Sequence, residues 1–202
     1  MKMNVIAKMV LAAVSIAASV APSAMAGTPS VGLTVNSLIT TGTCTTTMDT
    51  GSSGGSTKTV DFKSVSTAEV FAKTKINTFN LQFSGCAGIP GKKAYLTLTP
   101  RGVGCAGPSS NLASFANSTS KTPKAAKTAV EVWANGMPEG NGSTQFNCKT
   151  PNTVEVEIDS VTAQTPLTYQ LSARLVPVDG AARTDLTAGD FYSPTTLTIS
   201  YQ

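Results

Sequence analysis

The chain contains no histidine and few charged residues, which make up 13% of its 202 residues. Without histidine it lacks the commonest general base and the commonest metal ligand. Its four cysteines are too far apart in the sequence to form a C-x₂₋₄-C zinc clip. We therefore expect neither a cofactor nor a metal, and no catalytic residues. Charges of one sign do not cluster, so nucleic acid is not an expected partner.

The N-terminus has the pattern of a cleavable secretory signal. Lys2 and Lys8 precede an apolar run, Met9 to Val20, that is too short to span a bilayer, and small residues in an A-x-A arrangement end at Ala26. Cleavage there would leave residues 27–202 and lower the formal net charge from +4 to +2 by removing two lysines. We expect an exported protein.

An even number of cysteines in an exported chain favours disulfides over metal or redox chemistry. Cys44, Cys86, Cys105 and Cys148 can pair in three ways. We favour Cys44–Cys86 with Cys105–Cys148, because each bridge closes a loop of about 40 residues and would contribute roughly 4 kcal/mol in the loop-entropy model.

Segments of alternating apolar and polar residues, separated by glycine, proline and asparagine, predict an all-β sandwich. Ser66 and Glu69 fit a capping box for one short helical turn, with Val70 and Phe71 as its apolar face. Beyond the first cysteine, Cys44, the expected strands are Thr59–Phe62, Phe79–Phe83, Tyr95–Thr99, Ala129–Ala134, Thr153–Ile158, Thr168–Val176 and Thr195–Tyr201.

Three other patterns have more than one interpretation. Residues 102–107 match G-x-G-x-x-G, but proline and serines follow where a dinucleotide site needs a helix, so we interpret them as a loop. Trp133 is either a packed aromatic, which we favour, or a platform for stacking sugars. Glu155 and Glu157 alternate with apolar residues, which indicates a solvated strand face rather than a catalytic carboxylate pair.

Read in order, these features resemble the type 1 and related fimbrial (pilin) subunits of the chaperone–usher pathway. An alternating strand precedes the first cysteine, a strand–helix–strand passage ends in Gly85-Cys86, and Gly189 stands fourteenth from the end with Tyr201 penultimate. The resemblance covers essentially the whole chain after the signal, and it supports the Cys44–Cys86 pairing.

The resemblance implies an immunoglobulin-like sandwich that lacks its last strand and is completed by a donor strand from another subunit. Residues 27–43 would be the donor extension and residues 44–202 the pilin domain. Ser37 stands where glycine is typical of the family. The residues implied to fill a neighbour's groove are Val31, Leu33, Val35, Ser37 and Ile39, and those implied in chaperone and polymer recognition are Gly189, Leu197, Ile199, Tyr201 and Gln202.

The expected function is that of a structural fimbrial subunit that polymerises by donor-strand exchange and supports cell adhesion. The expected partners are other pilus subunits, a periplasmic chaperone, an outer-membrane usher and a host-surface receptor, and the expected location is the cell-surface fimbrium, reached through the periplasm. The alternatives are a receptor-binding tip adhesin or a minor adaptor pilin. A secreted β-sandwich enzyme is disfavoured because no nucleophile, base and orienting group come together in the sequence.

Overall fold

The computed structural model describes residues 42–49, 58–107 and 113–202. The described residues form nine strands, one short helix and one 3-10 turn. The strands are β1 Thr43–Asp49, β2 Ile76–Ala87, β3 Lys93–Pro100, β4 Cys105–Ala106, β5 Ser114–Ala116, β6 Thr128–Trp133, β7 Thr153–Glu157, β8 Leu167–Pro177 and β9 Thr195–Tyr201. The helix α1 spans Thr67–Phe71 and the 3-10 turn spans Arg183–Asp185. No helix among these ranges is both long and apolar enough to cross a bilayer.

The strands form two antiparallel sheets. The larger has the order β1-β2-β8-β6-β5-β4, and the smaller has the order β7-β3-β9. Both sheets contribute to one apolar core, in which the largest fully buried side chains include Phe83, Leu96, Phe115, Phe146 and Leu171. This is the predicted all-β sandwich.

Six of the seven predicted strands coincide with observed ones, and in β3, β7 and β9 the period-2 pattern matches a more buried and a more exposed face. Along β7, for example, Val154 and Val156 are buried while the glutamates between and after them are exposed. The predicted solvated face is confirmed: the Lys93 ammonium of the neighbouring strand bonds Glu155 and lies 3.3 Å from a Glu157 carboxylate oxygen.

The helical turn begins as predicted. The Ser66 hydroxyl accepts a hydrogen bond from the Glu69 backbone N–H at 3.2 Å, and the Glu69 carboxylate accepts one from the Ser66 N–H at 2.8 Å. Val70 is buried in the core, whereas Phe71 is 42% exposed, so the expected apolar face is narrower than predicted.

The strand predicted at Thr59–Phe62 is wrong. Val60 and Phe62 do pack against the core, but residues 59–62 are not assigned to a strand and belong to neither sheet of the described strands. The alternating pattern correctly predicted that these side chains pack against the core, but it carries no information on whether the backbone pairs with a neighbouring strand. The stretch 102–107 holds the short strand β4 rather than the opening of a dinucleotide-binding helix.

Both predicted disulfides are present, Cys44–Cys86 and Cys105–Cys148. The first lies at an irregularity in the β1–β2 pairing, where Thr43 faces Ala87 but Thr45 faces Ser84. One extra residue on β2 is accommodated by Gly85, whose φ of 59° lies in the left-handed region that glycine adopts at low cost. The Gly-Cys pair is thus a bulge that places Cys86 opposite Cys44.

Candidate functional site: a groove between two edge strands

The first and last strands are edges of different sheets. Among the described strands, β1 pairs with β2 alone and β9 pairs with β3 alone. An edge strand presents a row of backbone donors and acceptors to whatever lies beside it. As far as the described residues go, the sandwich is therefore open along the line between β1 and β9.

The inward face of β9 consists of the three residues that the sequence singled out. Leu197, Ile199 and Tyr201 are half-buried and pack against the core, whereas the residues between them are exposed. The structure thus places these three predicted recognition residues on one face, at the opening of the sandwich.

The backbone of the same three residues also faces the opening. Reciprocal hydrogen bonds join Lys93 to Gln202 at 3.2 and 3.1 Å, and the Arg101 N–H donates to the Pro194 carbonyl at 2.9 Å. Because bonded pairs alternate along an antiparallel ladder, Thr196, Thr198 and Ser200 bond β3. The N–H and C=O groups of Leu197, Ile199 and Tyr201 then point away from β3, toward the free edge.

A side-chain bridge crosses the opening. The inward residues of β1 are Cys44, Thr46 and Met48, and the Thr46 hydroxyl lies 2.6 Å from the Tyr201 hydroxyl. Adjacent paired strands lie about 4.8 Å apart, so a missing strand leaves roughly twice that distance. The described strands β1 and β9 do not pair with each other, so a contact between a long and a short side chain fits a gap one strand wide.

The segment that leads into β9, around Gly189 and Asp190, packs very closely against the backbone of residues 123–125. A Cβ added there would lie 2.4 Å from the Lys124 carbonyl carbon and 2.5 Å from the Ala125 nitrogen. Asp190 continues this contact, since its N–H donates to the Pro123 carbonyl at 2.8 Å. Glycine is needed here because of space, a reason that the sequence did not reveal.

Asn117 holds the segment that leads into β9 by hydrogen bonds. The sequence did not point to this residue for that role. Its buried amide nitrogen donates to the carbonyls of Ala125 at 3.0 Å and Asp190 at 2.9 Å. Its amide oxygen accepts from the N–H groups of Thr119 and Tyr192, both at 3.1 Å. With four bonds its polar atoms are well satisfied, so its burial is not costly.

The carboxylate of Asp190 is held in the same cluster. The Thr119 hydroxyl donates to it at 2.5 Å and the Lys121 ammonium lies 3.4 Å away. These two donors, the hydroxyl first, hold the pKa of Asp190 below its usual value. The charged form of Asp190 is therefore favoured in the folded chain.

Trp133 lies in a buried ionic cluster rather than on a binding surface. Only 8% of it is exposed, its indole N–H donates to Glu131 at 3.2 Å, and the Arg174 guanidinium lies 5.6 Å from the ring centroid. Arg174 also bonds the carboxylates of Glu131 at 2.6 Å and Glu139 at 2.7 Å. The packed-aromatic interpretation is confirmed and the sugar-platform interpretation is wrong.

The predicted donor residues Val31, Leu33, Val35, Ser37 and Ile39 lie outside the described residues, as do the predicted signal and its cleavage site.

A comparison with curated proteins decides the family. The chain is 43% identical over 176 residues to a protein of Escherichia coli (strain K12) described as the uncharacterized fimbrial-like protein YadL, with 87% of the chain and 86% of that protein covered. This chain belongs to the fimbrial-like proteins. No family model matches it.

A solved pilus structure shares the fold of this fimbrial-like chain. A chain from the structure of a chaperone–usher pilus, reported with the molecular basis of rod uncoiling, matches 87% of this chain and 98% of its own length, at 15% identity and a TM-score of 0.51. The crystal structure of the P pilus rod subunit PapA matches 79% of this chain and 99% of its own length, at 15% identity and a TM-score of 0.47. The fold of this fimbrial-like chain is the pilin sandwich expected from the sequence.

Proposed function

We propose that this chain is a structural subunit of a cell-surface fimbria, assembled through the chaperone–usher pathway by donor-strand exchange. The observation that carries the proposal is the opening between β1 and β9, where apolar side chains and backbone groups of β9 face the same gap. A strand of another molecule that filled this gap would pair with the free edge and cover the core.

The donor would be residues 27–43 of a second subunit. Burial of Val31, Leu33, Val35 and Ile39 contributes roughly 1.5–3 kcal/mol each, or roughly 6–12 kcal/mol together. This is an upper estimate, because ordering the strand costs entropy. A typical domain is stable by only about 5–15 kcal/mol, so the donor supplies a large share of the stability.

A periplasmic chaperone would occupy the groove first, by adding a strand to the edge of β9. We propose that Leu197, Ile199 and Tyr201 supply its contacts, with Gly189 and Gln202 fixing the two ends of the segment. Gly189 does so through its close packing on residues 123–125, and Gln202 through its two backbone bonds to Lys93. An outer-membrane usher would then exchange the chaperone strand for the extension of the next subunit.

Such a link joins different surfaces of two copies and does not close on itself, so it propagates into a filament. The signal at residues 1–26 would direct the chain through the periplasm to the cell surface. There the fimbria would support adhesion, with a host receptor as partner of the assembled filament. We propose a structural role, without catalysis.

The test is a synthetic peptide of residues 27–43 added to the purified chain trimmed to begin at Cys44, so that the chain's own extension does not compete for the groove. We expect a 1:1 complex and a rise in melting temperature of at least about 10 °C, because several kcal/mol of added stability shift the melting point of a domain of this size by a few degrees each.

A matched pair of peptide variants makes the test specific. Val35→Lys lies on the predicted inward face and should abolish the stabilisation, whereas Thr34→Lys lies on the outward face and should retain most of it. No stabilisation by saturating unmodified peptide would overturn the proposal. Equal effects of the two variants would overturn the predicted alternation.

A further inference from the structure

Two of the most exposed large apolar residues lie beside one serine. Val103 is 68% exposed and Tyr192 is 58% exposed. The Ser118 N–H donates to the Tyr192 carbonyl at 2.6 Å, and the Ser118 hydroxyl accepts from the Val103 N–H at 3.0 Å. Their backbones are therefore fixed near one another, on short loops that are well bonded to the sandwich.

These residues lie at one end of the sandwich, which we call the far end: Arg101–Val103, Ser118 and Tyr192–Pro194. The bond from the Arg101 N–H to the Pro194 carbonyl, 2.9 Å, joins the loops there. A Cβ added to Gly102 would lie 3.4 Å from the Pro194 ring and 2.9 Å from the Ser118 hydroxyl. The far end is thus a compact surface.

The opposite end, which we call the entry end, contains Gly42, the turn 88–92 and Gln202. A Cβ added to Gly42 would lie 2.6 Å from the Gly88 carbonyl oxygen, and one added to Gly91 would lie 2.6 Å from that of Gln202. The strand β3 runs from this end to the far end, which places the two ends about 24 Å apart. The chain preceding the sandwich therefore joins it at the entry end.

The direction of the proposed donor strand decides which end meets the next subunit. Antiparallel pairing is slightly more stable per residue than parallel pairing. Because β9 runs from the far end to the entry end, an antiparallel donor beside it runs from the entry end to the far end. The body of the donating subunit then lies beyond the far end.

The tether between donor strand and body is short. If Ile39 is the last residue in the groove, four residues up to Thr43 reach at most about 14 Å. The entry end of the donating copy is therefore held close to the far end of the receiving copy. Scattered exposed apolar residues need no explanation, but Val103 and Tyr192 lie where this tether brings a second copy.

We infer that Val103 and Tyr192 form a body-to-body contact with the entry end of the next copy of this chain in the fimbria. This inference rests on the proposed donor-strand exchange. The receiving feature on the next copy is a depression of about 90 Å³ beside the turn 88–92, lined in part by Ile89, Ile158 and Lys92. The contact adds to the donor strand and sets the angle between successive subunits.

The first experiment compares two properties: binding of the 27–43 peptide by the chain trimmed to begin at Cys44, and self-assembly of the chain that begins at Gly27, followed by light scattering and electron microscopy. The variant is Val103→Ser with Tyr192→Ser, which leaves the backbone bonds in place. We expect unchanged peptide binding and assembly slowed about ten-fold, as for truncation of an interface tyrosine. The control is Met137→Ser, at a residue 67% exposed elsewhere, which should assemble normally.

Assembly of the double variant at the unmodified rate would overturn the inference while leaving donor-strand exchange intact. Failure of the trimmed chain without these substitutions to bind the peptide would instead overturn the proposed function.

A second experiment needs no variant and so remains decisive if the double variant fails to fold. Lysine cross-linking of filaments assembled from a mixture of ¹⁴N- and ¹⁵N-labelled chains should join Lys92 of one copy to Lys121 of another, since Lys121 is held near the far end by Asp190 at 3.4 Å. Intermolecular Lys92–Lys92 links in place of Lys92–Lys121 links would show that the entry ends meet and would overturn the inference.

Discussion

The hydroxyl groups of Thr46 and Tyr201 lie 2.6 Å apart and join the first strand of the larger sheet to the last strand of the smaller one. The bridge spans the opening in which we place the donor strand. It links a residue that the sequence marked, the penultimate tyrosine, to one that it did not.

Removal of either hydroxyl tests this bridge. Tyr201→Phe and Thr46→Val should each lower the free energy of unfolding by about 1 kcal/mol, the usual contribution of a hydrogen bond between neutral groups. The double variant should lose less than the sum of the two, because both changes remove the same interaction. The measurement is urea unfolding, with Ser200→Ala on the exposed face of β9 as control. Strict additivity would show that the two hydroxyls do not interact.

Gly189→Ala tests the close packing before β9. The new methyl group would lie within 2.6 Å of three backbone atoms of Pro123–Ala125, so the segment must move. We expect a loss of about 1–3 kcal/mol in unfolding free energy, typical of overpacking, together with faster amide exchange in β9. Ala188→Ser, at the exposed neighbouring position, is the control. A Gly189→Ala variant as stable as the unmodified chain would show that this packing is dispensable.

The two carboxylates on Arg174 offer a matched pair. Glu131 has 11% side-chain exposure and Glu139 has 61%. Glu131→Gln removes a buried partner of a buried cation and should cost about 3 kcal/mol. Glu139→Gln removes a solvent-screened partner and should cost less than about 1 kcal/mol. Chemical denaturation of the two variants measures the difference, and equal costs would contradict the assignment of Glu131 as the buried partner.

The lowered pKa of Asp190 predicts that this residue's contribution to stability is lost at low pH. Because its folded pKa lies below the ordinary 3.8, the charged carboxylate stabilises the fold above that pH, and the contribution is lost as pH falls through the folded pKa. The stability difference between the unmodified chain and Asp190→Asn should be constant from pH 6 to about 4 and shrink below. In Thr119→Val, NMR titration should show the Asp190 pKa closer to its ordinary value, since the largest cause of the shift is gone. A difference that does not change with pH would refute this account.

The sequence predicted most of the strands, because strands such as β3 and β9 show their burial pattern in the alternation of their own residues. It missed β1, in which threonine occupies positions on both faces and blurs the alternation, and it missed β4 and β5, which are too short to show a period. Around the groove, too, some residues could be predicted from the sequence and others could not. Leu197, Ile199 and Tyr201 alternate visibly, whereas the bonds of Asn117 to Asp190 and Tyr192 join positions more than seventy residues apart and leave no local signal.

The bridge between Cys44 and Cys86 has a mechanical consequence. A pull on the chain before Gly42 reaches Cys44 after two residues and passes through a covalent bond into β2, a strand paired on both sides. Peeling β1 from its free end would therefore stop at its second residue. The load is shared by two hydrogen-bonded ladders in place of one, which would suit the proposed donor-strand link, in which the leading segment bears the load whenever the filament is stretched.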